Sequence, residues 1–294
     1  MKLASRSLTH QMTYIAIMSA ITIVLSVLTN FFPLTSILLI LFLPFVASLV
    51  AIICDLKLFP IYLVSSILLS AIVDMANFFH IIFYLLPALV SGFVIGVLYR
   101  GKVNGIYILL LVSLVNLLSN YAIIPVLDAL YEIDFINYSL GLFGFKNHPH
   151  ASAIFMMFLY VVGIIQATIT YIIVSEEIYI IKGKIVEDYD QNSVYIMAIL
   201  SISTLVFGLF HLGLALVSLG SLFFLSVYQF IFFYQEDKKL FYTTLVLVGV
   251  STIISFVLAE LHRLEYLPIY LILPVLIVVI TRFLWEYILK QRKQ

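Results

Sequence analysis

Between Arg6 and Asp55 the chain carries no aspartate, glutamate, lysine or arginine, and the same holds between Asp190 and Glu236. Charged residues make up 10% of the sequence, against about 25% in a soluble domain. That scarcity excludes an ordinary water-soluble globule. The remaining charges balance, 15 basic against 15 acidic, so no field is directed at nucleic acid or another polyanion. The single cysteine, Cys54, excludes an internal disulfide and reads as a small apolar residue at a helix end. A Gly-rich phosphate loop, a Ser–His–Asp set, a Cys/His metal cluster and a basic-aromatic nucleic-acid face are all missing from the sequence. His148-Pro149-His150 supplies only two histidines on a loop, an incomplete metal site.

What is present is apolar length: 64% of the residues are hydrophobic and mean hydropathy is +1.20. A bilayer core about 30 Å thick needs roughly 20 apolar residues per helix, so each charge-free gap holds two spans. The first run, Met12 to Phe32, is followed directly by another and reads as a membrane helix rather than a cleaved leader. Charge gaps and Pro/Gly/Asn breaks predict an all-α polytopic membrane protein of about ten helices: 11–31, 34–54, 58–78, 80–99, 104–127, 152–175, 193–211, 213–235, 240–259 and 267–289. The break at His211-Leu-Gly213 carries the weakest polar signal. An eight-helix arrangement, with two segments re-entrant, is the alternative.

Lysine and arginine in short loops set orientation. With both termini inside, the inner set is Lys2, Arg6, Lys57, Arg100, Lys102, Lys182, Lys184, Lys238, Lys239, Arg282, Lys290, Arg292 and Lys293, and the outer set is Lys146 and Arg263. Thirteen against two favours N-in, C-in. Two connections are long. Asp128 to Ala151 lies outside and is rich in aromatics (Tyr131, Phe135, Tyr138, Phe143, Phe145), which suits a segment on the membrane surface or over a cavity. Glu176 to Asn192 lies inside and reads as a helix extension. It suggests a division into a six-helix unit, 1–180, and a four-helix extension, 181–294. No sequence repeat relates the halves, so an inverted-repeat transporter is not supported.

Ionisable and amide groups at membrane depth need a reason, because a central charge costs about 2.5–3.5 kcal/mol on insertion scales. Asp74, Asn77 and His80 recur at three-residue spacing near the outer end of the third helix, which sets them on one face. Asn116 and Asn120 are four apart on the fifth helix, with Tyr121 beside them. Their bland reading is interhelical glue. Their functional reading is that this face meets the Asp74 stripe around an outward-facing cavity, with Asn30 and Gln166 as further candidates. Ala16 and Ala20 have small-residue spacing on the first helix, which permits close approach of another helix.

Phe207-Gly-Leu-Phe-His211 and the pair Glu176-Glu177 resemble elements of the intramembrane CAAX-protease-like family. Ile181 stands where that family has arginine, and Tyr266 stands four residues after His262 where it has Asn or Asp. On the topology above the glutamates and His211 fall on opposite sides. His211 then caps an outer helix turn, and the glutamates begin a cytoplasmic helix.

The start, Met12-Thr-Tyr-Ile-Ala16-Ile-Met-Ser-Ala20-Ile-Thr-Ile-Val-Leu-Ser26, resembles the first helix of energy-coupling-factor (ECF) transporter S components, and Leu41-Phe-Leu-Pro44-Phe-Val-Ala47 resembles their second. The likeness covers roughly residues 11–175. It implies a six-helix membrane protein that captures a small solute from outside. It also implies that Ala16 and Ala20 dock on a transmembrane coupling subunit working with two ATPases. The continuation past residue 175, including Leu225-Ser-Val-Tyr-Gln229-Phe-Ile-Phe-Phe-Tyr-Gln235, is similar to the YybS-like membrane proteins of Firmicutes. That likeness implies a multi-pass protein of a bacterial cell membrane.

Three functions follow as expectations. The first is a solute-binding, transport-related protein that performs no chemistry and needs no cofactor, with Asn30, Asp74, Asn77, His80, Asn116, Asn120 and Tyr121 as solute contacts. The second is a membrane scaffold or regulator without substrate, in which those polar groups pair with one another. The third is a degenerate CAAX-protease-like intramembrane enzyme. The expected surroundings are the lipid bilayer, with no nucleic acid.

Overall fold

The structure, a computed structural model, describes residues 7–31, 33–73, 79, 81–145, 148–182, 192–261 and 267–292, without the side chains of 29–31, 33–41, 179–182, 267, 286 and 289–292. Among these residues every regular element is helical. The helices are α1 (Leu8–Phe31), α2 (Pro33–Ile53), α3 (Phe59–Val73), α4 (Leu86–Arg100), α5 (Gly105–Tyr131), α6 (Phe135–Gly141), α7 (Ala151–Lys182), α8 (Ser193–Phe210), α9 (Leu212–Glu236), α10 (Lys238–Leu261), α11 (Leu267–Tyr270) and α12 (Ile272–Arg292). One 3₁₀ turn, Leu56–Leu58, leads into α3, and one π turn, Ile81–Leu85, leads into α4. Nine segments of the described residues are long and apolar enough to cross a membrane. A tenth rod, α2, has 21 residues, about 31 Å at 1.5 Å per residue. The chain is an all-α, multi-pass membrane protein.

The breaks fall where side chains can replace lost helix hydrogen bonds. Asn104 accepts from the Ile106 N–H and starts α5, and His211 accepts from the Leu214 N–H and starts α9. The carboxylate of Asp237 accepts from the Lys239 N–H at 2.8 Å and starts α10. The weak break at His211 is therefore real: its backbone is extended, with φ −151° and ψ 93°. Glu176 and Glu177 lie inside the continuous α7, both exposed. They lengthen the sixth rod rather than begin a new helix.

Contacts divide the chain into two units. The first comprises Met1–Asn147 and Leu159–Glu187, and the second comprises His148–Phe158 and Asp188–Gln294. The expected boundary at 180/181 follows loop length, whereas these units also give the opening turns of α7 to the second.

In the first unit α2 is the central rod. Leu43, Val46, Ala47, Val50 and Ala51 are buried against Ile15 of α1, Phe59 and Tyr62 of α3, and Leu85, Ala88 and Leu89 beside and within α4. The approach of α2 to α4 is set by Gly92 and Gly96. A Cβ on Gly92 would lie 2.3 Å from the Pro44 carbonyl oxygen and 2.6 Å from Ala47 Cβ. A Cβ on Gly96 would lie 2.4 Å from Ala51 Cβ. Gly-x-x-x-Gly on one helix thus meets Ala-x-x-x-Ala on the other, the pattern that allows backbones to touch in lipid. Polar groups lock the end of the same helix pair. The Arg100 guanidinium donates to the carbonyls of Ile52 and Cys54 at 3.2 and 2.8 Å, satisfying the C-terminus of α2. Gln11 of α1 accepts from the Asp55 N–H and donates to the Asp55 carboxylate.

In the second unit α8 and α9 are joined by hydroxyls. Thr204 and Ser218 share a hydrogen bond of 2.8 Å, and the buried Gln229 amide donates to Ser193 Oγ at 2.7 Å. Ser255 of α10 donates to the Tyr270 carbonyl at 2.7 Å, which satisfies a backbone acceptor at the α11–α12 break. Gly213 admits the start of α7, where Met156 Sδ would lie 3.0 Å from an added Cβ.

Candidate functional site

The amides of α5 form the clearest polar feature in the first unit. Asn116 and Asn120 are 4% and 8% exposed, and Gln166 of α7 is 5% exposed. The Asn120 amide donates to both the backbone carbonyl and the Oδ1 of Asn116, at 2.9 and 2.6 Å. The Asn116 amide in turn donates to Gln166 Oε1. Four-residue spacing on α5 stacks the two asparagines, and Gly163 lets the partner helix come close enough to continue the ladder. A Cβ there would lie 3.1 Å from the Ser113 carbonyl oxygen. Asn120 Oδ1 accepts no hydrogen bond among the described residues and stands at the far end of the ladder from Gln166. Tyr121, next along α5, is half-buried.

Asp74, Asn77 and His80 lie outside the described residues, as does the side chain of Asn30. The buried face of α3, which precedes them in sequence, is described. It carries Tyr62, Ser66 and Ser70, each 0% exposed, four residues apart and therefore stacked. Tyr62 shares a hydrogen bond of 2.7 Å with Thr22 of α1, Ser65 shares one of 2.8 Å with Ser19, and Ser66 reaches Ser19 at 3.4 Å. Hydroxyls thus join α1 to α3 at membrane depth. Serine and threonine spacing on the two helices was a usable signal for this contact.

Burying Ser19, Thr22 and Ser26 of α1 turns its opposite side outward. Ala16 and Ala20 are exposed, and Ile17, Ile21 and Val24 beside them are 53%, 40% and 56% exposed.

One charge in the inner set, Arg282, falls inside the tenth expected helix and is not a loop charge. Arg282 lies within the membrane-crossing segment Pro268–Trp285, is 2% exposed, and holds its guanidinium carbon 3.7 Å from the centre of the Phe232 ring. The helix continues ten residues beyond it to Arg292, about 15 Å. It is removed from the orientation tally, which leaves twelve inner charges against two, with the same sign. A desolvated arginine over an aromatic face is stabilised by about 2 kcal/mol or more, and an intramembrane charge is a site candidate. Its distance in sequence from Phe232 hid the pairing.

The connection after α5 is ordered by two carboxylates, one in the last turns of α5 and one in the connection. Asp128 Oδ1 accepts from the Phe135 N–H at 2.8 Å. Asp134 caps α6 by accepting from the Asn137 N–H at 3.0 Å and from its side-chain amide at 2.6 Å. These donors, the backbone N–H foremost, hold the exposed Asp134 carboxyl below the usual carboxylate range. Phe135 is buried in a cluster with Phe79 and Phe83, at centroid distances of 5.7 and 5.0 Å. Among the described residues no group of three or more His, Cys, Asp or Glu side chains is placed to hold a metal. His148 and His150 sit 5.8 Å apart, with His148 Nδ1 accepting from the His150 N–H. Glu176 and Glu177 belong to the first unit, and His211 to the second, where it is occupied as a helix cap. His262 lies outside the described residues.

No family model, curated protein or solved structure matches the chain.

Proposed function

We propose that the first unit takes a small polar solute from the outer side of a bacterial cell membrane, in the manner of an S component, and performs no chemistry of its own. The observation that carries this reading is the amide ladder Gln166–Asn116–Asn120. It joins buried amides of α5 and α7 and leaves the Asn120 carbonyl oxygen without a donor among the described residues. A solute with a hydroxyl or N–H donor fits that acceptor. Tyr121 and, from the sequence pattern alone, Asp74, Asn77, His80 and Asn30 complete the proposed contacts. Ala16 and Ala20, exposed on α1, suit docking of a coupling subunit through close helix packing, with ATP hydrolysed by associated ATPases.

Native mass spectrometry of the purified protein tests the reading. A bound small molecule is expected, and it should be lost in Asn120→Leu while the protein stays folded. A wild-type protein that carries no solute, and acquires none from a metabolite extract, would sink the proposal.

A second reading has its own support. Asn116 and Gln166 pair with each other, as interhelical glue requires, and so favour a scaffold or regulator without substrate. On that reading Asn120→Leu lowers stability without changing any bound mass.

A further inference from the structure

We infer that residues 135–145 form an interfacial element lying in the outer head-group layer of the bilayer, with Tyr138, Leu142, Phe143 and Phe145 seated in lipid. The sequence Phe-Ile-Asn-Tyr-Ser-Leu-Gly-Leu-Phe-Gly-Phe contains no charge over these eleven positions. The fold then sorts its side chains. Phe135 and Leu140 turn inward, at 6% and 4% exposure, and anchor the element. Tyr138, Leu142, Phe143 and Phe145 turn outward, at 60%, 74%, 65% and 46%. In water those four would stand as large apolar side chains exposed close together in sequence, which soluble surfaces limit unless something binds there.

Continuity with the lipid-facing surface identifies the occupant. The element follows directly on α5, whose last turns present Leu130 and Tyr131 at 54% and 45% exposure, and α7 begins at Ala151. Both are membrane-crossing segments, so the ends of the connection are held at the membrane surface. Its backbone is also satisfied from within, as a water-poor layer demands. Tyr138 N–H donates to the Asp134 carbonyl, and Phe143 and Phe145 N–H both donate to the Leu140 carbonyl, at 3.0 and 2.9 Å. The last of these bonds closes around Gly144, whose φ of +82° suits glycine. Aromatic and apolar side chains on a short element beside the ends of membrane-crossing helices are what interfacial segments use. Asp128 and Asp134 hold its start through the Phe135 and Asn137 N–H groups.

The test is tryptophan fluorescence in proteoliposomes. The sole native tryptophan is Trp285, so Phe143→Trp is made in a Trp285→Phe background and placed in vesicles whose lipids carry bromine on the upper acyl carbons. The expected result is blue-shifted emission that brominated lipid quenches and aqueous acrylamide does not. Red-shifted emission open to acrylamide would put the element in water. Blue-shifted emission that neither agent quenches would put it against protein. Either outcome overturns the inference. If Trp285→Phe fails to fold, Phe143→Cys carrying a nitroxide gives the same decision, because Cys54 is fully buried. Preferential collision with oxygen over a water-soluble nickel complex is then the supporting outcome, and the reverse preference overturns it. These readouts do not depend on whether the protein binds a solute.

Discussion

Gly96 offers the sharpest perturbation of the first unit. In Gly96→Ala the new methyl would sit 2.4 Å from Ala51 Cβ and 2.9 Å from the Ser48 carbonyl oxygen. Carbon atoms prefer about 3.5–4.0 Å, so the two rods must separate by roughly 1 Å. Neither obstacle is the end of a flexible side chain, so no rotamer change relieves the clash. Overpacking of this kind costs about 1–3 kcal/mol, and separating the rods also strains the Arg100 hydrogen bonds at the end of the same pair. The natural reporter is Cys54, fully buried beside that knot. A thiol-reactive dye in a thermal ramp reads its exposure on unfolding. Gly96→Ala should lower the midpoint by several degrees. Ala51→Gly removes the atom that clashes, so adding it to Gly96→Ala should restore much of the loss. A Gly96→Ala protein that melts like the parent, or a double variant with no recovery, would refute the close-approach argument.

Three further outcomes follow from the same geometry. Asn116→Leu and Gln166→Leu should each destabilise by about 0.5–2 kcal/mol, and the double variant by less than the sum, since each single change strands a buried partner; additive losses would mean the ladder is not a coupled unit. Arg282→Met and Phe232→Leu should show a coupling of about 1–2 kcal/mol in a double-mutant cycle, and Arg282→Lys should recover little of it because an ammonium lacks the planar stacking surface. The Asp134 carboxyl is held below its ordinary value when folded, so its cap contributes above the unfolded carboxylate range and is lost as pH falls through the depressed folded value. Hydrogen-exchange protection of the Asn137 amide should therefore fall on acidification below the usual carboxylate range, and Asp134→Ala should remove the cap, at about 1 kcal/mol, together with that pH dependence.

The helical rods were readable because the bilayer imposes their length on composition. About 20 apolar residues between polar turns is a constraint within the chain itself, and even the weak break at His211 carried a usable cap. The polar pairings were half readable. Four-residue spacing put Asn116 and Asn120 on one face, but no spacing within α5 could name Gln166, which lies fifty residues on. Arg282 shows a similar gap. It falls inside the expected tenth helix yet counts with the inner loop charges, and only its packing against Phe232 shows it buried. The Gly92 and Gly96 pair is a motif in sequence, but its partner, the Ala47 and Ala51 stripe, is one of many small-residue patterns that could have met it.

Sequence alone determined that the chain lives in lipid and that it does so as a series of apolar helices. Each of those follows from the energy of exposing charge or backbone to hydrocarbon, which is paid residue by residue. Which rod touches which, and which polar group satisfies which, was decided only in three dimensions. In lipid every apolar face is equally well solvated, so hydrophobicity does not choose the partner. Close backbone approach and buried hydrogen bonds do, and both depend on residues far apart in the chain.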